Sequence, residues 1–273
     1  MRLSKHSGLA ALACLALAAV TLWSFGWSLP GLGIPLALLL ALLADGIFRP
    51  SSSLLYPTVT HGPRDSRRVA LSFDDGPDAV VTPVVLDALA QHGAHATFFT
   101  IGRELAAQPE LARRMVAEGH ELGNHSWQHS YAQNFFGMRW QQAEIERGAK
   151  PIAAATGRSQ PQPLYRPPIG LKCPPLAWAA AKLELTVVAW SLHGRDTGRL
   201  DAEYIAARVL KKIRPGDIVL LHDGHDRAGR SRPACALLVP LILQGLQQQG
   251  LQCVTVSELL NRTAVTGCKT ADA

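Results

Sequence analysis

Residues 68–77 read RVALSFDDGP. The run from Val69 to Phe73 is short, apolar or small, and ends at once in two adjacent carboxylates and a Gly-Pro turn. A short apolar run closed by turn residues predicts a buried strand. The chain then alternates. The spacing of Val85, Leu86 and Leu89 predicts a helix over 82–92, ATFFTIG (96–102) a strand, and 104–118 a helix interrupted near Pro109. Further on, a helix is expected over 139–156, strands over 186–192 and 217–222 with a helix over 202–213 between them, and a helix over 236–249. QCVTVSEL (252–259) closes the pattern. Repeated strand–helix units require a parallel sheet with helices outside it, because parallel strands need a crossover connection. In a sheet that closes into a barrel, chemistry belongs at the C-terminal ends of the strands.

The reactive residues fall at such ends. Asp74 and Asp75 follow the first strand directly. Neighbouring carboxylates repel unless a cation sits between them or water screens them. By itself FDDGP is equally a solvated Asp-Gly turn. His125 and His129, in HSWQH (125–129), are spaced i and i+4, which on a helical turn places both imidazoles on one face. Two histidines and a carboxylate with an open position form a hydrolytic zinc arrangement, whereas an isolated pair at this spacing is ordinary surface. VLLHDG (219–224) delivers His222 and Asp223 at a strand end, and RPPIG (166–170) is a Pro-fixed turn presenting Arg166.

Taken together and in this order, SFDDGP (72–77), NHSWQH (124–129), RPPIG (166–170) and VLLHDG (219–224) resemble the motifs of the NodB-type polysaccharide deacetylases, over about residues 68–260. AEGHELGNHS (117–126) and VTVSEL (254–259) are similar as well. The resemblance implies an irregular (β/α) barrel and a divalent metal, usually zinc, held by Asp75, His125 and His129. It implies Asp74 as the general base toward the attacking water, His222 as the acid that protonates the leaving amine, and Arg166 as the group that holds Asp74 ionised. Asp196 would support His222. Pro168, Ile169 and Gly170 would contact substrate, with a backbone N–H at or beside Ile169 facing the oxyanion. One stretch departs from the family. WSLHGRDT (190–197) keeps Asp196, but His193 stands where the family commonly has aspartate and Thr197 where it has tryptophan. The substrate groove should therefore differ from the family's.

The activity so implied is hydrolysis of an N-acetyl amide on an amino-sugar glycan. A deacylase or deformylase of a lipid-linked amino sugar is the alternative, and a non-catalytic, membrane-anchored glycan binder a further one. The N-terminus bears on this choice. No Asp, Glu, Lys or Arg occurs in the 38 residues 7–44. As one helix these would reach roughly 57 Å, nearly twice a hydrocarbon core of about 30 Å. Two short spans over 9–25 and 32–48 are expected, joined by GWSLPG with Trp23 and Trp27 at an interface. A cleaved signal peptide followed by one span is the other reading. Arg2 and Lys5 before, and Arg49, Arg64, Arg67 and Arg68 after, place both flanks on the cytoplasmic side of a bacterial-type inner membrane, unless the first stretch is removed.

The expected organisation is an anchor over 1–49, a Ser/Pro-rich linker over 50–67, the catalytic domain over 68–261 and a flexible tail over 262–273. A net charge of +6 arises from scattered residues without basic–aromatic runs, so no nucleic-acid partner is expected. The five cysteines form no CxxC pair or zinc-ribbon spacing. His61, His92, His95, His120 and His225 are assigned structural or surface roles.

Overall fold

A computed structural model describes residues 5–27, 29–157, 164–198, 201–226 and 232–261. The tail expected over 262–273 lies outside the described residues. The N-terminus forms two helices, α1 (Lys5–Phe25) and α2 (Leu29–Phe48), which pack on each other. Among the described residues no helix is long and apolar enough to cross a membrane, so the expected spans are not supported.

The chain then enters β1 (Thr58–Val59) and β2 (Arg68–Asp74), followed by α3 (Val81–Gln91), β3 (Thr97–Thr100), α4 (Gly102–Ala107) and α5 (Pro109–Ala117). Pro109 opens α5, where its missing N–H costs nothing, and so divides the helical stretch expected over 104–118. Next come β4 (Glu121–Asn124), α6 (Met138–Thr156), β5 (Leu164–Tyr165), α7 (Pro174–Lys182), β6 (Thr186–Val188) and β7 (Leu192–His193). The described chain ends with α8 (Ala202–Lys212), β8 (Ile218–His222), α9 (Ala234–Gln248), β9 (Gln252–Cys253) and α10 (Val256–Leu259). Within VTVSEL, Thr255 and Glu258 form the capping box that opens α10.

Every strand pair is parallel, in the order β1-β6-β5-β4-β3-β2-β8-β7, with β9 added to β2. The result is a curled half-barrel. β6 and β7 belong to one stretch of chain, and the first pairs with β5 while the second pairs with β8. That brings the far sides of the sheet toward each other.

The alternation of β2 sorts its side chains. Val69, Leu71 and Phe73 face outward into a cluster with Val85, Leu86 and Leu89 of α3 and Leu238, Val239 and Ile242 of α9. Ala70 faces inward with Phe99, Leu164, Val188 and Ile218. With a side-chain period of two, Ser72 and Asp74 lie on the same inner face as Ala70. Register fixes what Asp74 meets, pairing it with Phe99 of β3 and His222 of β8, while Asn124 pairs with Tyr165 just ahead of Arg166.

The segment expected as a linker is partly built into this unit. β1 pairs with β6, and Tyr56 donates to Leu185 O at 2.9 Å. The Lys172 ammonium, 2% exposed by residue, donates to Pro50 O, Ser52 O and Thr58 Oγ1. Serine and proline made this stretch read as loop, yet its carbonyls meet a buried cation that lies far away in sequence.

Candidate active site

Asp74, Asp75, His125, His129, Ile169, Gly170 and His222 line one cavity of about 360 Å³, together with Trp190, His193 and Arg232. Asp74 and Asp75 are 4% and 5% exposed, which excludes the solvated turn. They diverge because Asp75 adopts φ 71°. The next residues are held closely: a Cβ on Gly224 would lie 2.3 Å from Asp75 O.

Asp74 is oriented by Arg166, whose Nη1 donates to Asp74 Oδ1 at 2.6 Å. The guanidinium is fully buried and also donates to Val188 O (3.2 Å) and Ala189 O (3.0 Å), while its Cζ lies 3.9 Å from the Phe99 ring centroid. Such a planar fork, satisfied on three sides, is the geometry in which a buried ion pair is tolerated. Burial alone would raise the Asp74 carboxyl, but Arg166, His125 and His222 outweigh it and hold its pKa below the ordinary aspartate value. Asp74 is thus an anion in a nearly dry site.

The HSWQH segment is a tight loop after β4, and not the helical turn its spacing suggested. Ser126 and His129 adopt φ 67° and 53°. Asn124 Oδ1 accepts from Ser126 N, Ser126 Oγ accepts from His129 N, and the N–H groups of Gly102 and Arg103 take the carbonyls of Ser126 and Trp127. Both imidazoles still face one point. The donor atoms of Asp75, His125 and His129 all lie within 4.8 Å of one another. His125 Nδ1 is 2.7 Å from Arg166 O, so Nδ1 carries the proton and Nε2 keeps a free lone pair. His129 is pulled down to about 4, first by burial and then by His125, and so is neutral near pH 7. A carboxylate and two imidazoles, that of His125 held from behind by Arg166 O, fit a zinc-type divalent ion.

His222 sits at the end of β8. Asp196 accepts from its ring Nδ1 at 3.0 Å and from its backbone N–H at 2.7 Å. Burial would lower the imidazole, but the Asp196 hydrogen bond and charge, with Asp74 and Asp75 beyond, leave its pKa above the ordinary histidine value. Nε2 is then the protonated atom available to the cavity. In the RPPIG turn, Pro168 is buried and Ile169 has φ 52°, with 44% of the residue exposed. The Gly170 N–H is taken by Pro167 O. The Ile169 N–H makes no hydrogen bond among the described residues.

Arg232 lies in no motif that sequence reading singles out. It lies before α9, bonded through Nε to Gly224 O at 2.8 Å, with Nη2 3.4 Å from Asp75 Oδ2. Tyr131, hydrogen-bonded to Asp226, closes the same rim. Both were illegible because their contacts come from loops that only the fold brings together. His225, assigned with the other four to a structural or surface role, lies 2.8 Å from Asp226, whereas His61, His92 and His120 bond Gly62 O, Gln247 and the Ala96 N–H away from the cavity. Cys173, Cys235 and Cys253 are free, buried thiols.

Comparison with known proteins agrees with this geometry. Residues 61–188 match the family described as polysaccharide deacetylase. A chitooligosaccharide deacetylase of Bradyrhizobium is 40% identical, over 68% of this chain and 88% of its own length. A peptidoglycan-N-acetylglucosamine deacetylase of Bacillus cereus is 39% identical, over 72% and 90%. Among solved structures, a peptidoglycan N-acetylglucosamine deacetylase superposes with TM-score 0.69 at 28% identity, covering 76% of this chain and 94% of that one. The peptidoglycan deacetylase PdaC of Bacillus subtilis gives 0.64 at 30% identity, covering 73% and 92%.

Proposed function

We propose that this chain, which belongs to the polysaccharide deacetylase family, removes the N-acetyl group from an N-acetylhexosamine unit of a glycan, using zinc held by Asp75, His125 and His129. As a member of that family it is a hydrolase of carbon–nitrogen bonds other than peptide bonds. One observation carries the proposal: a carboxylate ionised by Arg166 and a histidine protonated through Asp196 line the same cavity as the Asp-His-His cluster.

The bound ion would acidify a water and polarise the acetyl carbonyl. Asp74, kept ionised by Arg166, accepts the proton of the attacking water. The Ile169 N–H is the backbone donor available to the developing oxyanion. His222 delivers its Nε2 proton to the departing amine, and Asp196 stabilises the imidazolium until then. Base and acid together balance the reaction: water adds to carbon, the C–N bond breaks, and acetate and a free amine leave. Each proton transfer accounts for roughly 10²- to 10⁴-fold.

The apolar hairpin supports a location at a lipid surface. Trp23, Trp27, Leu36, Leu39, Leu40 and Phe48 are exposed along it. Its end is fixed to the site, since Lys172 N donates to Ile47 O and Pro50 packs against Gly170. That arrangement favours substrates presented near a bilayer and keeps a lipid-linked acylamino sugar as a second reading. The flanking arginines favour the cytoplasmic side for the catalytic domain, and removal of the first stretch would favour the other.

The test is acid release by the zinc-supplied protein from acetylated chito-oligomers and from a lipid-linked acylamino sugar, with Asp74→Asn as control. Acetate from the oligomers, abolished by the substitution, supports the proposal. Release only from the lipid-linked sugar transfers it to the second reading. Zinc binding without any release refutes catalysis on either substrate and leaves a non-catalytic glycan binder.

A further inference from the structure

The end of β7 carries a side chain that the reaction does not use. His193 lines the catalytic cavity, its ring centroid 6.2 Å from that of His222 and edge-on to Trp190 at 5.7 Å. Its orientation is built, not incidental. The backbone N–H of Arg195 donates to His193 Nδ1 at 2.8 Å, and Arg195 reaches that position through a left-handed φ of 57°. Arg208 donates to His193 O at 3.0 Å and to Gly194 O, and Gly194 N donates to Leu220 O at 2.8 Å. Gly194 is needed for that contact, since a Cβ there would lie 2.7 Å from Leu220 O.

With Nδ1 accepting a backbone hydrogen bond, the neutral ring must carry its proton on Nε2. Among the described residues nothing accepts that proton. A pre-oriented donor, braced at its own backbone, thus sits beside the acid of the site. We propose that His193 is a specificity residue: its Nε2–H donates a hydrogen bond to an oxygen of the sugar unit whose amide is cleaved. A neutral donor asks only for a lone pair, so it accepts a hydroxyl or an ether oxygen alike. A carboxylate at this position would instead demand a hydroxyl hydrogen. The inference rests on the deacetylase reading above.

The experiment uses the full zinc-supplied chain, acetylated chito-oligomers, and the variants His193→Phe and His193→Gln. Phenylalanine keeps the ring and removes the donor, whereas glutamine keeps a donor near the Nε2 position. His193→Phe is expected to raise KM roughly 3- to 10-fold, the worth of one neutral hydrogen bond, with kcat within about twofold and His193→Gln restoring KM to within about twofold. Equal KM in all three proteins, equal impairment by both variants, or a loss confined to kcat would overturn the proposal. Calorimetric binding of the same oligomer in the Asp74→Asn background separates the two levels of inference. If wild type releases no acetate yet binds, the deacetylase reading fails, and the ratio of Kd values still decides His193. A wild type that neither binds nor cleaves overturns both.

Discussion

Replacing Arg166 by methionine leaves Asp74, 4% exposed, without its cation and strips the carbonyls of Val188 and Ala189 of their donors. Removing one partner of a buried pair costs about 3–5 kcal/mol, far more than a surface pair is worth. For a catalytic unit of this size each kcal/mol is about 2–4 °C in Tm, so the melting temperature should fall by on the order of 6–20 °C. Asp74→Asn in the same background removes the stranded charge, and the double variant should be more stable than the sum of the single effects by about 2 kcal/mol or more. The pH dependence has a definite sign. The Asp74 pKa is depressed in the folded protein, so its contribution is complete above the ordinary aspartate value and is lost as pH falls through the folded one. Without Arg166, burial dominates and the pKa rises. The stability gap between wild type and Arg166→Met should therefore narrow as pH falls from 7 into the acid range. Thermal melts in chelator, at several pH values, check both. Additive single effects, or a gap constant with pH, would refute the ion-pair argument.

Asp196→Asn removes the hydrogen-bonded charge that lifts the His222 pKa; the alkaline limb of kcat/KM should move to lower pH and kcat should fall by about 10²-fold or more, and an unmoved limb in the pH–rate profile contradicts the acid assignment. Gly224→Ala places a methyl 2.3 Å from Asp75 O; chemical denaturation should show a loss of about 1–3 kcal/mol, with zinc affinity reduced in equilibrium dialysis, and unchanged values would mean the turn yields freely. Lys172→Met leaves the carbonyls of Pro50 and Ser52 without their buried donor; limited proteolysis should then cut within 50–57 much faster than in wild type, and equal rates would mean that this segment is held by other contacts.

Much of the site was legible before any fold was known. Strand ends in a parallel sheet collect chemistry, and SFDDGP, RPPIG and VLLHDG each lie at or just beyond one. The period of two along β2 already put Asp74 on the face of Ala70. Other features were not legible. HSWQH was read as helical from its spacing, but two left-handed residues and the Asn124 and Ser126 side chains impose a loop. The segment 50–67 was read as linker because its order comes from Lys172, more than a hundred residues away. Arg232 carried no motif at all.

The sequence by itself determined the alternation of strands and helices, the ligand types and the motif order, because periodicity and turn chemistry are local properties. Only the tertiary structure decided which oxygen of Asp74 meets Arg166, which ring nitrogen of His193 holds the proton, and that the apolar hairpin ends against Gly170. Those facts depend on register and on contacts between distant segments, and such contacts leave no local trace in the chain.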